Sequence, residues 1–208
     1  MKKALIFWMI TFFVIPTINA QVKKIMITKI PVAEDAFVQG GQTADEMMGI
    51  TEVKKLRIGN SRGDTKYSRI TYLKFDLPKK KIKNISAISL NIPIKVFIRK
   101  EDTEKKFELD VYIVKNSRWK ENKITWNNKP EVDINIANVS IEQSLDKQSL
   151  WQIIELDISE INKLINQKKR KITLALTNMR SNKTSAICSS RETAGSASYL
   201  SIESTESM

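Results

Sequence analysis

The chain contains no histidine and only one cysteine, Cys188. Without an imidazole, the sequence excludes a Ser-His-Asp triad, a Cys-His pair and a histidine-ligated zinc site. Cys188 lies among small and apolar residues, which is typical of a buried strand position rather than an activated thiol. A single cysteine also cannot form an internal disulfide, so stability must come from apolar burial.

Glycine and proline are scarce, with six and five residues respectively. The pair Gly40-Gly41 lacks the lysine and hydroxyl residues of a phosphate-binding loop. No stretch rich in proline, glycine or serine divides the chain, and no internal repeat is present. One domain is therefore expected.

The first twenty residues have the composition of a secretory signal. Lys2 and Lys3 precede an apolar run over residues 4–15, and small residues lead to Ala20, after which we expect cleavage. The run is shorter than the roughly 20 residues that a spanning helix needs. We predict an exported protein, extracellular or periplasmic, with a lead-in at 21–32, a β-sandwich at 33–203 and a tail at 204–208.

The formal charge is +12, and it falls to +10 when Lys2 and Lys3 are removed with the signal. A basic protein favours acidic partners, and charge alone fits nucleic acid, an anionic membrane surface or an anionic glycan equally well. For an exported protein we expect an acidic polysaccharide, no nucleic acid and no membrane span. The alternative is that the lysines only keep the protein soluble.

Alternation of apolar and polar residues dominates the chain and predicts strands with one buried face. The clearest runs lie at 71–77, 88–98 and 107–113, with shorter ones at 36–38, 55–58, 153–158, 171–177, 187–190 and 200–202. Many short strands at such spacing indicate an all-β sandwich. Residues 159–167 instead show helical spacing, with Asp157 and Glu160 as a capping box. Pro93 suggests an edge strand or a bulge.

The same alternation predicts a ligand face. If Leu73 and Phe75 face the core, Tyr72 and Lys74 point to the opposite side of the sheet, as does Arg57 on the preceding strand. Arginine grips carboxylates in bidentate fashion, lysine adds charge and an aromatic ring can stack on a sugar. The predicted polyuronate-binding residues are Arg57, Arg69, Tyr72, Lys74 and Arg191. The alternative is a solvated basic face.

One segment carries a family resemblance: Trp119-Lys120-Glu121-Asn122-Lys123-Ile124-Thr125-Trp126-Asn127-Asn128-Lys129-Pro130. It resembles the signature of the DNRLRE domain, also classified as carbohydrate-binding module family 96. Further segments that resemble this family occur in the expected order at 35–38, 56–60, 69–77, 190–192 and 199–202. The resemblance implies a jelly-roll-like antiparallel sandwich with alginate-type ligands, and a degrading enzyme or surface protein as a separate partner.

The motif residues are interpreted as structural, because two tryptophans among turn-forming residues more often hold a corner than a sugar. These residues are Trp119, Glu121, Thr125, Trp126, Asn127, Asn128 and Pro130, and Trp151 is predicted in the core. Carboxylates at strand ends suggest a structural calcium held by Asp35, Asp76 and Glu192, with Glu34 nearby. Alternatively, Asp35 and Asp76 only pair with arginines.

The resulting prediction is a secreted, non-catalytic module that binds a polyuronate such as alginate and requires no cofactor. One alternative is a polysaccharide lyase that uses Tyr72 or Tyr112 as base. Another is a surface adhesion or assembly subunit that binds protein.

Overall fold

A computed structural model describes residues 23–52, 54–78, 82–98, 106–143, 148–167, 169–180 and 184–207. The predicted signal lies outside these ranges. Within the described ranges there are ten strands: β1 Lys23–Gln39, β2 Lys55–Gly59, β3 Arg69–Asp76, β4 Ile85–Ile98, β5 Lys106–Val114, β6 Val132–Glu142, β7 Leu150–Glu155, β8 Lys171–Thr177, β9 Thr184–Ser189 and β10 Tyr199–Ser207. The helices are α1 at Met48–Thr51 and α2 at Ile158–Asn166, with a 3-10 turn at Gly41–Thr43.

The strands form an all-β antiparallel sandwich, as predicted. Their hydrogen-bonded order is β1-β10-β4-β9-β2-β3-β8-β5-β6, and β7 pairs with β4 on its other side. β1 belongs to both layers, because its first half pairs with β10 and its second half with β3. A register shift between Val32 and Glu34 marks the point where the partner changes.

The main core lies between the layers and is built by the predicted alternation. Leu73 and Phe75 on β3, and Leu90 and Ile92 on β4, are completely buried in it. Cys188 is also fully buried there, and burial raises the pKa of its thiol. The expectation of a structural rather than reactive cysteine agrees with this position.

The α2 helix begins one residue earlier than predicted. The Asp157 carboxylate accepts a hydrogen bond from the Ser159 amide at 2.8 Å, which satisfies a free N–H at the helix start. Ile161 is buried against the main core. No helix in the described part of the chain is long and apolar enough to cross a membrane.

A second, smaller core lies on the opposite side of β3 and β8. It contains Ala36, Val38, Ile70, Tyr72 and Ala175 from the strands, with Trp119, Ile124 and Trp126 from the segment between β5 and β6. We call this segment, residues 115–131, the covering loop. The covering loop buries the outer face of one layer of the sandwich. Strand alternation alone does not indicate that this face is buried.

The strands differ from the sequence expectations in three places. Strand β1 begins at Lys23, inside the predicted lead-in, and β6 was not predicted at all. Bulges in the β5–β6 pairing interrupt the alternation of β6, and much of this strand is exposed. Pro93 is not on an edge strand: its partner strand changes from β10 at Asn91 to β9 at Ile94, so no ladder bond is required there.

Candidate functional site

The predicted open face of Tyr72 and Lys74 is buried. Both side chains point away from the main core, as expected, but they are only 0% and 1% exposed. The covering loop lies over them, because the Tyr72 hydroxyl donates to the Pro130 carbonyl at 3.0 Å and the rings of Tyr72 and Trp119 lie 6.0 Å apart. Burial raises the pKa of Tyr72, so its phenol stays neutral and poorly placed to act as a lyase base.

Lys74 is the polar centre of this second core. Its ammonium donates to Glu34 Oε1 at 3.0 Å and to the Trp119 carbonyl, and it lies 4.3 Å from the centre of the Trp119 ring. Burial lowers the pKa of Lys74, and the hydrogen bond and charge of Glu34 oppose that shift. Burial likewise disfavours the ionised Glu34, but the bonds from Lys74 and the Glu121 amide outweigh it and hold the pKa of Glu34 below its usual value.

The arginines predicted on the same face lie elsewhere. β2 and β3 pair only at Gly59 and Arg69, so Arg57 does not stand beside Tyr72. Arg57 binds Glu52, with 2.7 Å between Nη2 and Oε2, and Arg69 Nε donates to Gln39 Oε1 at 2.7 Å. Burial, with the nearby charge of Arg57, lowers the pKa of Arg69. A sugar-binding role for the two arginines stays a prediction.

Two of the three predicted calcium ligands meet, together with a third that was assigned to the motif. Carboxylate oxygens of Asp35, Glu121 and Glu192 lie within 4.8 Å of one another. Asp76 lies apart from them, at the end of β3, where it pairs with Lys171 at 3.4 Å. The three grouped carboxylates come from β1, the covering loop and the segment after β9, so they tie distant parts of the chain together.

Arg191, also predicted to bind sugar, lies in this carboxylate group. Its guanidinium is 3.0 Å from both Glu121 and Glu192, and its amide donates to Asp35 at 2.7 Å. Burial and the two neighbouring glutamates raise the pKa of Asp35 to about 7, against 3.8 ordinarily. Hard oxygen donors of this kind fit calcium, and the cation would relieve the excess negative charge. The calcium site stays a prediction.

The other motif residues build the covering loop. Thr125 and Asn128 bond each other through side chains and amides at 2.8 and 3.3 Å, which closes a tight turn. Asn127 donates to Asp45 at 2.7 Å, and Trp119 Nε1 donates to Thr173 at 3.0 Å. Trp119 and Trp126 are each 8% exposed. Both tryptophans therefore lie in the position that a structural role requires.

A large cleft of the described chain lies beside the covering loop. It has a volume of about 990 Å³ and runs between the end of β5, the start of β6, α2 and the start of β8. Leu164 and Ile172 contribute apolar surface to it. Two acidic residues line this cleft, Asp133 and Glu160. The cationic residues that line it are more numerous: Lys115, Arg118, Lys163, Lys169, Arg170 and Lys171.

A second cleft of about 530 Å³ continues from the first across Lys115, Asn116 and Arg118. It adds Lys120, Lys123 and Lys129 as cations and Glu131 as an acid, above Trp119, Ile124 and Pro130. We call the two clefts together the basic trough. Among the described residues, nine cations and three acids line it, which gives these residues a surplus of six positive charges in a protein of formal charge +12.

Sequence reasoning missed this trough. On sequence alone, the basic run at 168–171 is typical of a solvated turn, yet Lys169, Arg170 and Lys171 line the larger cleft. The similar run Lys79-Lys80-Lys81 lies outside the described residues. The basic residues within the motif, such as Lys120 and Lys123, could have indicated the trough, because a loop with a purely structural role does not need them.

The prediction that Trp151 lies in the core is wrong. Its side chain is 49% exposed on β7, and its ring lies 5.9 Å from that of Tyr199 on β10. Trp151 stands opposite Pro93 of β4, on the side of the sheet that faces away from the main core. The inward positions of β7 are instead represented by the buried Ile154.

Comparison with known proteins gives one family. No curated protein matches the chain. The model of carbohydrate-binding module family 96 matches residues 26–204, which includes β2 to β9, most of β1 and β10, and the whole covering loop. Together with the antiparallel sandwich and the motif that holds its second core, this match shows that the chain belongs to carbohydrate-binding module family 96.

Proposed function

We propose that this carbohydrate-binding module recognises an acidic polysaccharide, of the polyuronate type, along the basic trough and does not cleave it. The surplus of six positive charges along two connected clefts is the observation that carries the proposal. A polyuronate presents a carboxylate on each sugar, so an elongated row of cations can engage several of them at once. Alginate, named by the resemblance, is one such polymer.

Arg118 is the central residue of this proposal. Arg118 lines both clefts and its side chain is exposed. Within the described part of the chain, Arg118 forms no ion pair. Its guanidinium can therefore take a carboxylate in a two-point contact. Lys169 is likewise exposed in the larger cleft. Lys115 and Lys163 are held by Glu131 and Glu160, at 2.8 and 2.6 Å, and contribute less free charge.

A binding role without turnover agrees with the environment of the tyrosines. Tyr72 is buried beneath the covering loop, and Tyr112 packs against the second core. Neither tyrosine lines the two clefts. The composition of residues 1–20 is typical of a secretory signal, and on that basis we propose that the module meets its glycan outside the cytoplasm.

Affinity electrophoresis tests this function. The exported chain is run through gels containing alginate, pectate, heparin or a neutral glucan, at low and at moderate salt. The double variant Arg118→Ala/Lys169→Ala is compared with Arg62→Ala/Lys106→Ala, which removes two exposed cations away from the trough. We expect retention by a uronate that survives moderate salt, and about tenfold weaker binding in the trough variant only.

Other outcomes contradict the proposal. Equal weakening by both double variants, with loss of all retention in moderate salt, would mean that net charge alone causes binding. No retention by any polyanion would show that the trough has another use. Appearance of ultraviolet absorbance from unsaturated sugar ends would identify a lyase instead.

A further inference from the structure

The outer face of β7, β4, β10 and β1 carries an exposed aromatic side chain, Trp151, beside the half-buried Tyr199, and neither residue lines the trough. Ile153 and Tyr199 both stand opposite Asn91 of β4, one from each side, and Trp151 stands opposite Pro93. Residues directly opposite each other in antiparallel strands share a face. Trp151, Ile153 and Tyr199 therefore lie together on the side away from the main core, and we call them the aromatic platform.

Two of the three platform residues are open to solvent, and Tyr199 is half-buried beside them. Trp151 is 49% exposed and Ile153 is 73% exposed, whereas Trp119 and Trp126 are 8% exposed. The rings of Trp151 and Tyr199 lie 5.9 Å apart with a 52° angle between their planes, so they form a shallow angled surface above β4. An exposed tryptophan that adjoins other apolar side chains marks a contact site more often than an isolated aliphatic residue does.

A polar row borders the platform. Along the next line of paired residues, Glu155 stands opposite Ser89, Ser89 opposite Ser201, and Ser201 opposite Lys29. The Lys29 ammonium lies 4.9 Å from the centre of the Tyr199 ring. The row thus offers one carboxylate, two hydroxyls and one ammonium, and its charges cancel.

We propose that the aromatic platform binds an uncharged pyranose of a neutral polysaccharide, as a second carbohydrate site separate from the basic trough. The C–H face of a pyranose packs on an indole ring, while its hydroxyls reach the donors and acceptors of the neighbouring row. Because this row has no net charge, it gives a neutral sugar hydrogen bonds without favouring a polyanion. Because the sheet face is open, it can accept sugars in the middle of a polysaccharide as well as those at its end.

A sugar fits this surface better than a second protein. A flat apolar partner would remove water from Glu155 and Lys29 without pairing them, which costs free energy. A pyranose instead carries apolar and polar groups side by side, as the platform and its border do. The inference depends on the family membership and not on the polyanion specificity proposed for the trough.

The test combines binding and fluorescence. Laminarin, hydroxyethyl cellulose, xylan and galactomannan are titrated into the exported chain, and tryptophan emission is recorded for the native protein and for Trp151→Phe. We expect one of these neutral glycans to shift the emission of the native protein to shorter wavelength. Trp151→Phe should keep binding by gel retention but lose that shift, since Trp119 and Trp126 are buried.

Matched variants separate the platform from the trough. Trp151→Ala should weaken neutral-glycan binding about tenfold, Ile153→Ala by less than threefold, and Arg118→Ala/Lys169→Ala not at all. Circular dichroism with a thermal melt verifies that each variant folds. Neutral-glycan binding that survives Trp151→Ala unchanged, or the absence of binding to all four glycans, overturns the proposal. A monomer-dimer equilibrium in sedimentation that Trp151→Ala abolishes would instead identify a second copy as the occupant.

Discussion

The two outer faces of the sandwich differ in cover although their strands alternate in the same way. On the face formed by β1, β3, β8 and β5, the covering loop buries Tyr72 and Lys74 completely. On the face formed by β7, β4, β10 and β1, Trp151 and Ile153 remain exposed. Alternation thus tells which side of a strand faces away from the main core. It does not tell whether another segment lies on that side.

The largest expected effect comes from removing the indole that holds the cover in place. Trp119→Ala should lower the free energy of unfolding by about 3–5 kcal/mol. The substitution leaves a cavity in the second core and removes the indole N–H that donates a hydrogen bond to Thr173. Chemical denaturation monitored by circular dichroism measures this change. Trp151→Ala is the matched control, and we expect it to cost under about 1 kcal/mol because that side chain is half exposed. Equal losses for both variants would contradict the contrast between the faces.

A somewhat smaller effect is expected for the buried ammonium. Lys74→Ala should cost about 3 kcal/mol, since it leaves a cavity and removes the closest cationic partner of Glu34. Lys74→Met keeps the volume and should recover at least half of that loss. Urea unfolding of the two variants decides the point. A Met variant as unstable as the Ala variant would show that the charge itself, rather than the packing, stabilises the covered face.

The smallest expected effect is a pH dependence at the seam where the covering loop joins β1. The folded-state pKa of Asp35 is raised to about 7 from 3.8, so the folded protein holds a proton there that the unfolded chain has lost. The stability from this proton is complete below about pH 4 and is lost as the pH rises towards about 7. We expect the free energy of unfolding to fall by about 2 kcal/mol between pH 5 and 7.5, as measured by denaturant melts.

Asp35→Asn is the control for this dependence, because an amide still accepts the Arg191 bond without titrating. The same melts in calcium chloride at pH 7.5 examine the predicted ion site. If Asp35, Glu121 and Glu192 bind calcium, the ion should restore the lost stability in the native chain and not in Glu192→Gln. A native chain whose pH profile matches that of Asp35→Asn would contradict the raised pKa.

Local patterns predicted much of the fold. Residues 171–177 were predicted as a strand and form β8, and α2 differs from its prediction by one residue at each end. Asp157 was recognised as a cap because capping needs only neighbours. β6 was not predicted because bulges in its pairing with β5 interrupt the alternation of apolar and polar residues. Pro93 was misplaced because a change of partner strand is not visible in the strand's own residues.

The candidate site was harder to predict than the fold. The contact of Lys74 with Trp119 joins residues 45 positions apart, and that of Tyr72 with Pro130 joins residues 58 apart. Glu121 was assigned to the motif, but its approach to Asp35 and Glu192 depends on how the covering loop lies on β1. The basic trough likewise collects residues from β5, β6, α2 and β8.

By itself, the sequence determined the strand faces, the motif that closes the covering loop and the excess of positive charge. These properties depend on local alternation, on short-range turn bonds and on composition. Only the tertiary structure decided that Tyr72 and Lys74 are covered, that Trp151 is open and that the cations gather along the trough. The reason is physical: burial and electrostatic surroundings are set by segments that are distant along the chain and meet only after the strands have paired.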